Sequence, residues 1–317
     1  MTQYNLAQNI YSDDFTSCLL EEAYCQINNI NITEALDNFY AGLRHLRLNS
    51  SVDEWKYIVQ NHLMDHPINE LLYQDPITER AFSKPRGYAG DACLLDMIYG
   101  HPSANLDGIS EVGNKIREYT FNTSACESVR LRRIYIAELI DQIVNTTDKT
   151  KILSIGCGHL RELDVCKSVR KGKFEKFLAV DQDKQSVDFV NKNYSNKGVN
   201  ASVVSVVDIL RNRFQASNLN LVYASGLYDY LKQKSARKLT LRLFELLSSK
   251  GVLLITNVLP EMKDIGYMES YMDWELISRD ELELLDCAND IPKDEIDNLS
   301  MSFDKHQNIG FLQIHKK

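Results

Sequence analysis

From Lys151 onward the chain alternates short strand-like runs with helix-like runs, and this alternation constrains the fold more than any other feature of the sequence. The candidate strands are Lys151–Ile155, Lys176–Asp181, Ala201–Val207, Leu219–Ala224, Gly251–Asn257, Ser300–Phe303 and Gly310–Ile314. Helical patterns separate the first five. Successive β and α units place parallel strands in one sheet with helices on both faces. Only Asp304 to Asn308 separates the last two runs, too little for a crossover, so they are expected to pair as an antiparallel hairpin at the sheet edge. The expectation is a doubly wound, seven-stranded, mostly parallel α/β sheet over residues 148–317.

The chain before it has a different texture. Leu36, Phe39, Tyr40, Leu43 and Leu46 recur at helical spacing. Ser51 with Glu54 reads as a capping box ahead of Trp55, Ile58, Val59 and His62. Ser124 with Glu127 reads as another, opening a long helix that carries Val129, Ile136, Ile140 and Ile143. A stretch punctuated by Gly and Pro runs from Asp75 to about Gly113, and the polar Asn145-Thr146-Thr147-Asp148 marks the boundary. Residues 1–147 are therefore expected to form a helical cap or lid domain. With 317 residues the chain is long enough for two ordinary domains.

Composition excludes several classes. A net charge of −8 disfavours nucleic acid and acidic membrane surfaces as partners. The first fifteen residues lack a basic region followed by an apolar one, so no secretory leader is expected, and no apolar run is long enough for membrane insertion. Seven cysteines at irregular spacing, with no CxxC pair, fit a reducing cytoplasm. No residue group reads as a metal site.

The candidate site gathers at one rim. Gly156-Cys157-Gly158 follows the first strand directly, where a glycine turns the backbone tightly and leaves no Cβ in a ligand's way. The second strand ends in Asp181-Gln182, where a carboxylate can accept both hydroxyls of a ribose. The third is expected to end near Asp208-Ile209, with Asp208 placed for an adenine amino group. The fourth ends in Ala224-Ser225-Gly226. In open parallel sheets ligands bind beyond these carboxyl ends. NAD-binding proteins prefer a third glycine opening the next helix. Here His159-Leu160-Arg161 follow Gly158, so a pyrophosphate would meet bulk. S-adenosyl-L-methionine carries no phosphate and is the expected cofactor, with a Rossmann oxidoreductase as the competing reading.

Five segments carry a family likeness: KPRGYAGDA at 84–92, ILSIGCGHLRELD at 152–164, AVDQD at 179–183, VYASGLYDYL at 222–231 and GYMESYMDWELISRD at 266–280. Together they resemble a bacterial class I methyltransferase family of Rossmann-like fold, whose representative makes the methyl ester of 3-hydroxypalmitic acid, a quorum signal. The likeness runs from about His66 onward. Two positions depart from the general motif: Ser154 stands for an acidic residue and Leu160 for a third glycine.

The resemblance implies an O-methyltransferase forming a methyl ester on a small carboxylated metabolite. Methyl transfer rests on proximity and orientation, and a carboxylate acceptor is ionised at neutral pH and needs no general base. Tyr228 is a candidate for facing the methyl group; for Tyr230 a core position competes with a site role. His159 reads either as a base or as a cap for the next helix, and Arg161 as a ligand of the cofactor carboxylate or a solvated charge. Arg86 and Tyr88, on the Pro85, Gly87 and Gly90 turn, are candidates for holding the acid, against a turn pinned by an Arg86–Asp91 ion pair. Tyr267, Met268, Tyr271, Met272 and Trp274 read as an acyl pocket or as helix packing on the sheet. Arg130, Arg132 and Arg133 read as a solvated face. N- or C-methylation of a polar metabolite, or a protein that binds the cofactor without turnover, remain alternatives, and homo-oligomerisation is left open.

Overall fold

The computed structural model describes residues 2–29 and 31–317, with side chains from residue 13 on except 28, 29 and 170. The reading of the first fifteen residues against a leader therefore falls mostly outside the described side chains. The structure divides into two compact units: 1–127 with 262–275, and 128–261 with 276–317.

The second unit is built on one sheet. Its strands are β1 (Lys151–Ile155), β2 (Lys176–Asp181), β3 (Val199–Val203), β4 (Leu219–Ala224), β5 (Leu247–Val258), β6 (Ile296–Phe303) and β7 (Ile309–Lys316). They lie in the order β3-β2-β1-β4-β5-β7-β6. The pairs within β1 to β5 are parallel, while β7 runs antiparallel to both β5 and β6. The chain steps outward from β1 to β3 and then returns to place β4 beside β1, so the topological switch point falls between β1 and β4.

Burial on both faces explains the near-continuous apolar runs. Along β1, Ile152 joins a core with Ile136, Ile140, Leu160 and Val187, while Leu153 and Ile155 join an opposite core with Leu239, Leu243 and Phe244. Ile136, Ala137, Ile140 and Val144 are buried against the sheet. This packing draws most of the helix Ser124–Thr146 into the sheet unit, so the units part at 127/128 rather than after 147.

The third strand differs from expectation. It starts at Val199 and ends at Val203, and Ser205 then caps a helix, Val206–Leu210, in a capping box with Asp208. The β-branched run 202–207 looks like a strand, but the Ser205 and Asp208 side chains satisfy the backbone N–H groups of a helix start.

The first unit is helical. The helix Ile32–Asn49 buries Leu36, Phe39, Tyr40, Leu43 and Leu46 at the predicted spacing. The Ser51–Glu54 capping box is present, with Trp55 and Ile58 buried behind it. The helix Ile265–Tyr271 packs here too. A Cβ on Gly266 would meet the Leu43 backbone at 2.5 Å, so only glycine permits the approach. Tyr267 stacks on Tyr40 with ring centroids 4.2 Å apart, and its hydroxyl pairs with Thr78 at 3.0 Å. Tyr267, Met268, Tyr271 and Met272 are thus core of the helical unit, neither an acyl pocket nor sheet packing. Ser124 is likewise not a cap: Asp264 accepts hydrogen bonds from the Ala125 N–H at 2.7 Å and the Ser124 hydroxyl at 3.1 Å.

Among the described residues no helix is long and apolar enough to cross a membrane, and no group of His, Cys, Asp or Glu is placed to hold a metal.

Candidate functional site

The rim of β1, β2 and β4 assembles from local backbone chemistry. After β1, the Gly156 and Cys157 N–H groups both donate to the Val180 carbonyl at the end of β2. Gly156 and Gly158 take φ of 64° and 50°, a region that favours glycine. The turn thereby aims the Gly158 N–H at Asp181, whose Oδ2 accepts it at 2.8 Å. Asp181 Oδ1 accepts the Asp183 N–H at 2.9 Å. The residue is only 8% exposed, and burial pushes its carboxyl above the ordinary range, while the N–H groups of Asp183 and Gly158 oppose the shift. An ionised carboxylate offers about four acceptor sites. With three taken by the N–H groups of Gly158, Asp183 and Gln182, the remaining capacity is left for a ligand hydroxyl.

Leu160 holds the place where the general motif has a third glycine. Its φ of 55° and ψ of 39° are left-handed all the same. The conformation costs about 1–2 kcal/mol in a residue with a Cβ, which burial of the leucine in the core with Val187 and Phe177 offsets. The loop thus keeps a glycine-like path. His159 is 6% exposed and its ring stacks on Phe189 at 4.0 Å, with the Arg161 guanidinium 4.6 Å from the same ring. Leu160, not His159, is the cap residue of the short helix Arg161–Asp164, and it contributes no side-chain cap. His159 is therefore embedded in this stack and is not the helix cap. Arg161 is buried and pairs with Asp164 at 3.5 Å, so it is no solvated charge.

Beneath the turn, Tyr223 donates to Glu162 at 2.5 Å and also bonds Ser154. Ser154 and Glu162 are thus joined through one phenol, which brings a carboxylate beneath the rim although Ser154 replaces an acid. Burial pushes both the Glu162 carboxyl and the Cys157 thiol up.

At β4, Ala224 is buried, Ser225 half-buried, and Gly226 has φ of 75° with its N–H on the Thr256 hydroxyl at 3.3 Å. A Cβ on Gly156 would lie 3.6 Å from Leu227 Cβ, so the turns after β1 and β4 adjoin. Tyr228 does not face a ligand. It is 0% exposed in the core with Leu239 and Leu243, its hydroxyl pairs with Thr240 at 3.0 Å, and burial drives its pKa far up. Tyr230 is the exposed member of the pair. Asp229 is buried, its Oδ1 accepting from the Val258 N–H at 2.8 Å.

Asp208 follows the shortened third strand and remains partly exposed there. It stands in the first helical turn, bonded by the Ser205 hydroxyl at 2.6 Å and paired with Arg213 at 3.3 Å. Those contacts hold its carboxyl below the ordinary range. Ile209, expected on the rim, is buried core, while Gln182 is exposed at the β2 end.

Two buried arginines frame the loop after β4, and sequence reading missed both roles. Arg279 donates to Gln233 at 2.7 Å, to the Tyr228 carbonyl at 2.9 Å, to Asn257 at 2.5 Å and to the Leu231 carbonyl, pinning the loop 227–231. Arg132, expected on a solvated face, is 6% exposed with its guanidinium against Gly226. Arg132 does fall at helical spacing between Val129 and Ile136, on the buried face of its helix, a signal its charge masked; nothing in the sequence marks Arg279.

In the helical unit, Arg86 donates to Cys93 Sγ at 3.0 Å. The expected Arg86–Asp91 pair does not form. Asp91 is taken by Arg80, through bonds of 2.9 and 2.6 Å, and caps the helix Ala92–Ile98. Arg86 and Tyr88 are half-buried around Gly87, whose φ is 87°.

No family model matches the chain, and no curated protein matches it. Solved structures do. A Bordetella parapertussis protein, described as a possible exported protein, is 10% identical with 96% of both chains covered and a TM-score of 0.59. The magnesium protoporphyrin IX methyltransferase of Synechocystis, with bound S-adenosylmethionine, is 9% identical over 61% of this chain and 84% of its own, at a TM-score of 0.43. The N-methyltransferase NodS of Bradyrhizobium japonicum, with S-adenosylhomocysteine, is 10% identical over 62% and 89%, also at 0.43. At such identities the likeness is one of fold. Seven strands, mostly parallel and closed by an antiparallel hairpin, place the sheet unit in the doubly wound Rossmann-like architecture.

Proposed function

We propose that this chain is an S-adenosyl-L-methionine-dependent methyltransferase acting on a small carboxylated metabolite. The observation that carries this reading is the Gly158 N–H to Asp181 clamp beside the β1–β4 switch point. It sets a carboxylate with remaining acceptor capacity next to a backbone turn in which Gly156 and Gly158 carry no Cβ, which suits a nucleoside without phosphates. Bound there, the cofactor supplies an electrophilic methyl group on a sulfonium.

The chain's own residues do the rest. Asp181 holds the ribose, Gly156 and Gly158 admit the ligand close to the backbone, and Ala224, Ser225 and Gly226 border the methyl side. The acceptor oxygen's electron pair forms the new bond as the carbon–sulfur bond breaks, leaving a neutral thioether and an ester. No residue needs to remove a proton from a carboxylate. That His159 lies stacked on Phe189 rather than open at the rim favours an acid over an amine or hydroxyl acceptor. Arg86 and Tyr88 belong to the proposal as recognition groups for the acid. A 3-hydroxy fatty acid, methylated as a quorum signal or other secondary metabolite, is the acceptor the sequence resemblance favours, and seven cysteines with no disulfide among them favour the cytoplasm.

The test is mass spectrometry of ligands retained on purification, followed by turnover with a panel of acids and amines. The proposal expects methyl esters and no ionisation in the rate between about pH 6 and 8. Methylated amines, or a neutral ionisation lost in His159→Ala, would favour N-methylation; binding without turnover across the panel would favour a cofactor-binding protein.

A further inference from the structure

Arg132 sits where the turns after β1 and β4 converge. Its Nη1, Nη2 and Cζ lie 3.3, 3.4 and 3.6 Å from where a Cβ on Gly226 would stand. It interacts electrostatically with Glu162 from the first turn and Asp229 from the second. The residue is 6% exposed, yet its Nε has no hydrogen-bond partner among the described residues.

A buried guanidinium is costly unless its donors are used. Arg279, on the other side of the same loop, shows what a structural arginine looks like here: four acceptors surround it, three of them on the loop or on Asn257 at the end of β5. Arg44 and Arg117 also carry an unpartnered Nε among the described residues, but each keeps part of its surface in solvent. Among the described residues, Arg132 combines deep burial, an unpartnered Nε and a place at the switch point. Gly226 also acquires a second reason to be glycine, since a side chain there would press on the guanidinium.

We infer that Arg132 is the anchor for the α-carboxylate of the cofactor's amino-acid part. This rests on the methyltransferase reading of the site. A planar fork matches a carboxylate in two parallel bonds. Asp181 stands at the β2 end and bonds the Gly158 N–H, while Arg132 stands against Gly226 after β4, so a ligand held by both would lie across the Gly156–Gly158 turn. Glu162 and Asp229 flank the guanidinium, so the charges there are of both signs and suit a zwitterionic ammonium and carboxylate. The helix Ser124–Thr146 therefore contributes to ligand binding as well as covering the sheet.

The experiment is calorimetric titration of two ligands: S-adenosylhomocysteine, and 5′-methylthioadenosine, which keeps the nucleoside and thioether but lacks the amino-acid part. In Arg132→Gln, affinity for S-adenosylhomocysteine falls roughly 10- to 100-fold, the scale of a hydrogen bond to a charged group. Affinity for 5′-methylthioadenosine stays within about twofold. Arg132→Lys, which keeps the charge and loses the fork, shows a smaller loss for S-adenosylhomocysteine alone, and serves if the glutamine variant does not fold. Equal losses for both ligands would reduce Arg132 to a packing residue, and an unchanged affinity for S-adenosylhomocysteine would overturn the assignment outright. Wild-type protein that binds neither ligand would remove the cofactor site itself, and this inference with it. Wild-type binding of both, with no selective loss in either variant, would leave the cofactor site standing and reject Arg132 alone.

Discussion

Asp181 shows how one residue serves fold and ligand with opposite dependence on pH. Burial raises its carboxyl above the ordinary range. Its ionised form is the hydroxyl acceptor, so S-adenosylhomocysteine should bind best above the raised pKa and progressively less as pH falls through it. In the unliganded protein the folded pKa exceeds the unfolded value near ~3.9. The folded state holds that proton more tightly, so the stability it contributes is full below the unfolded value and is lost as pH rises through the folded one. Calorimetry and thermal melts across pH should therefore move in opposite senses, and Asp181→Asn should flatten both trends. Tyr228 makes the contrasting case. Its hydroxyl meets Thr240, so Tyr228→Phe should cost about 1 kcal/mol of stability and leave turnover within a factor of two; a collapse of turnover in folded Tyr228→Phe would return it to the site. Its neighbour in the sequence VYASGLYDYL gives no sign of this, because the residues that bury Tyr228 lie on the helix Gln233–Glu245 and only the fold brings them around it.

At the scale of elements, the parallel strands were legible because apolar runs bounded by turn residues have few other uses. β1, β2 and β4 fall where the runs put them, to the residue. The edge was less so. β3 and the helix after it share a run of valines, and only the Ser205–Asp208 box separates them. The partner of helix Ile265–Tyr271 was invisible, since an aromatic and methionine face suits a sheet or a helix alike. The loop after β1 was legible as a turn but not as a strained one. Leu160 holds a left-handed backbone there, secured by burial. Leu160→Ala keeps the strain and loses the packing, and should cost about 2–5 kcal/mol. Leu160→Gly removes the strain as well as the side chain and should cost less by about 1 kcal/mol. Urea unfolding of the pair measures the difference; a glycine variant less stable than the alanine one would show that the left-handed conformation carries no strain.

At the scale of the molecule, composition indicated length enough for two units but not where they part. The helix Ser124–Thr146 buries Ile136, Ile140 and Val144 in the sheet unit, and residues 262–275 return to the helical one. A linear reading places one boundary; the contacts place three, because the chain leaves and re-enters. Arg86 belongs to the helical unit, and its proposed role predicts a loss that stability does not report. Arg86→Lys should lower turnover at least tenfold while the melting temperature stays within about 2 °C; normal turnover would leave Arg86 to its contact with Cys93. The central claim is that the rim of β1, β2 and β4 binds S-adenosyl-L-methionine through Asp181. Calorimetric titration of S-adenosylhomocysteine into the wild-type chain and into folded Asp181→Ala tests it most directly. The account predicts one site in the wild type and a loss of roughly 1.5–3 kcal/mol in the variant; no binding in the wild type, or the same affinity in both, would contradict it.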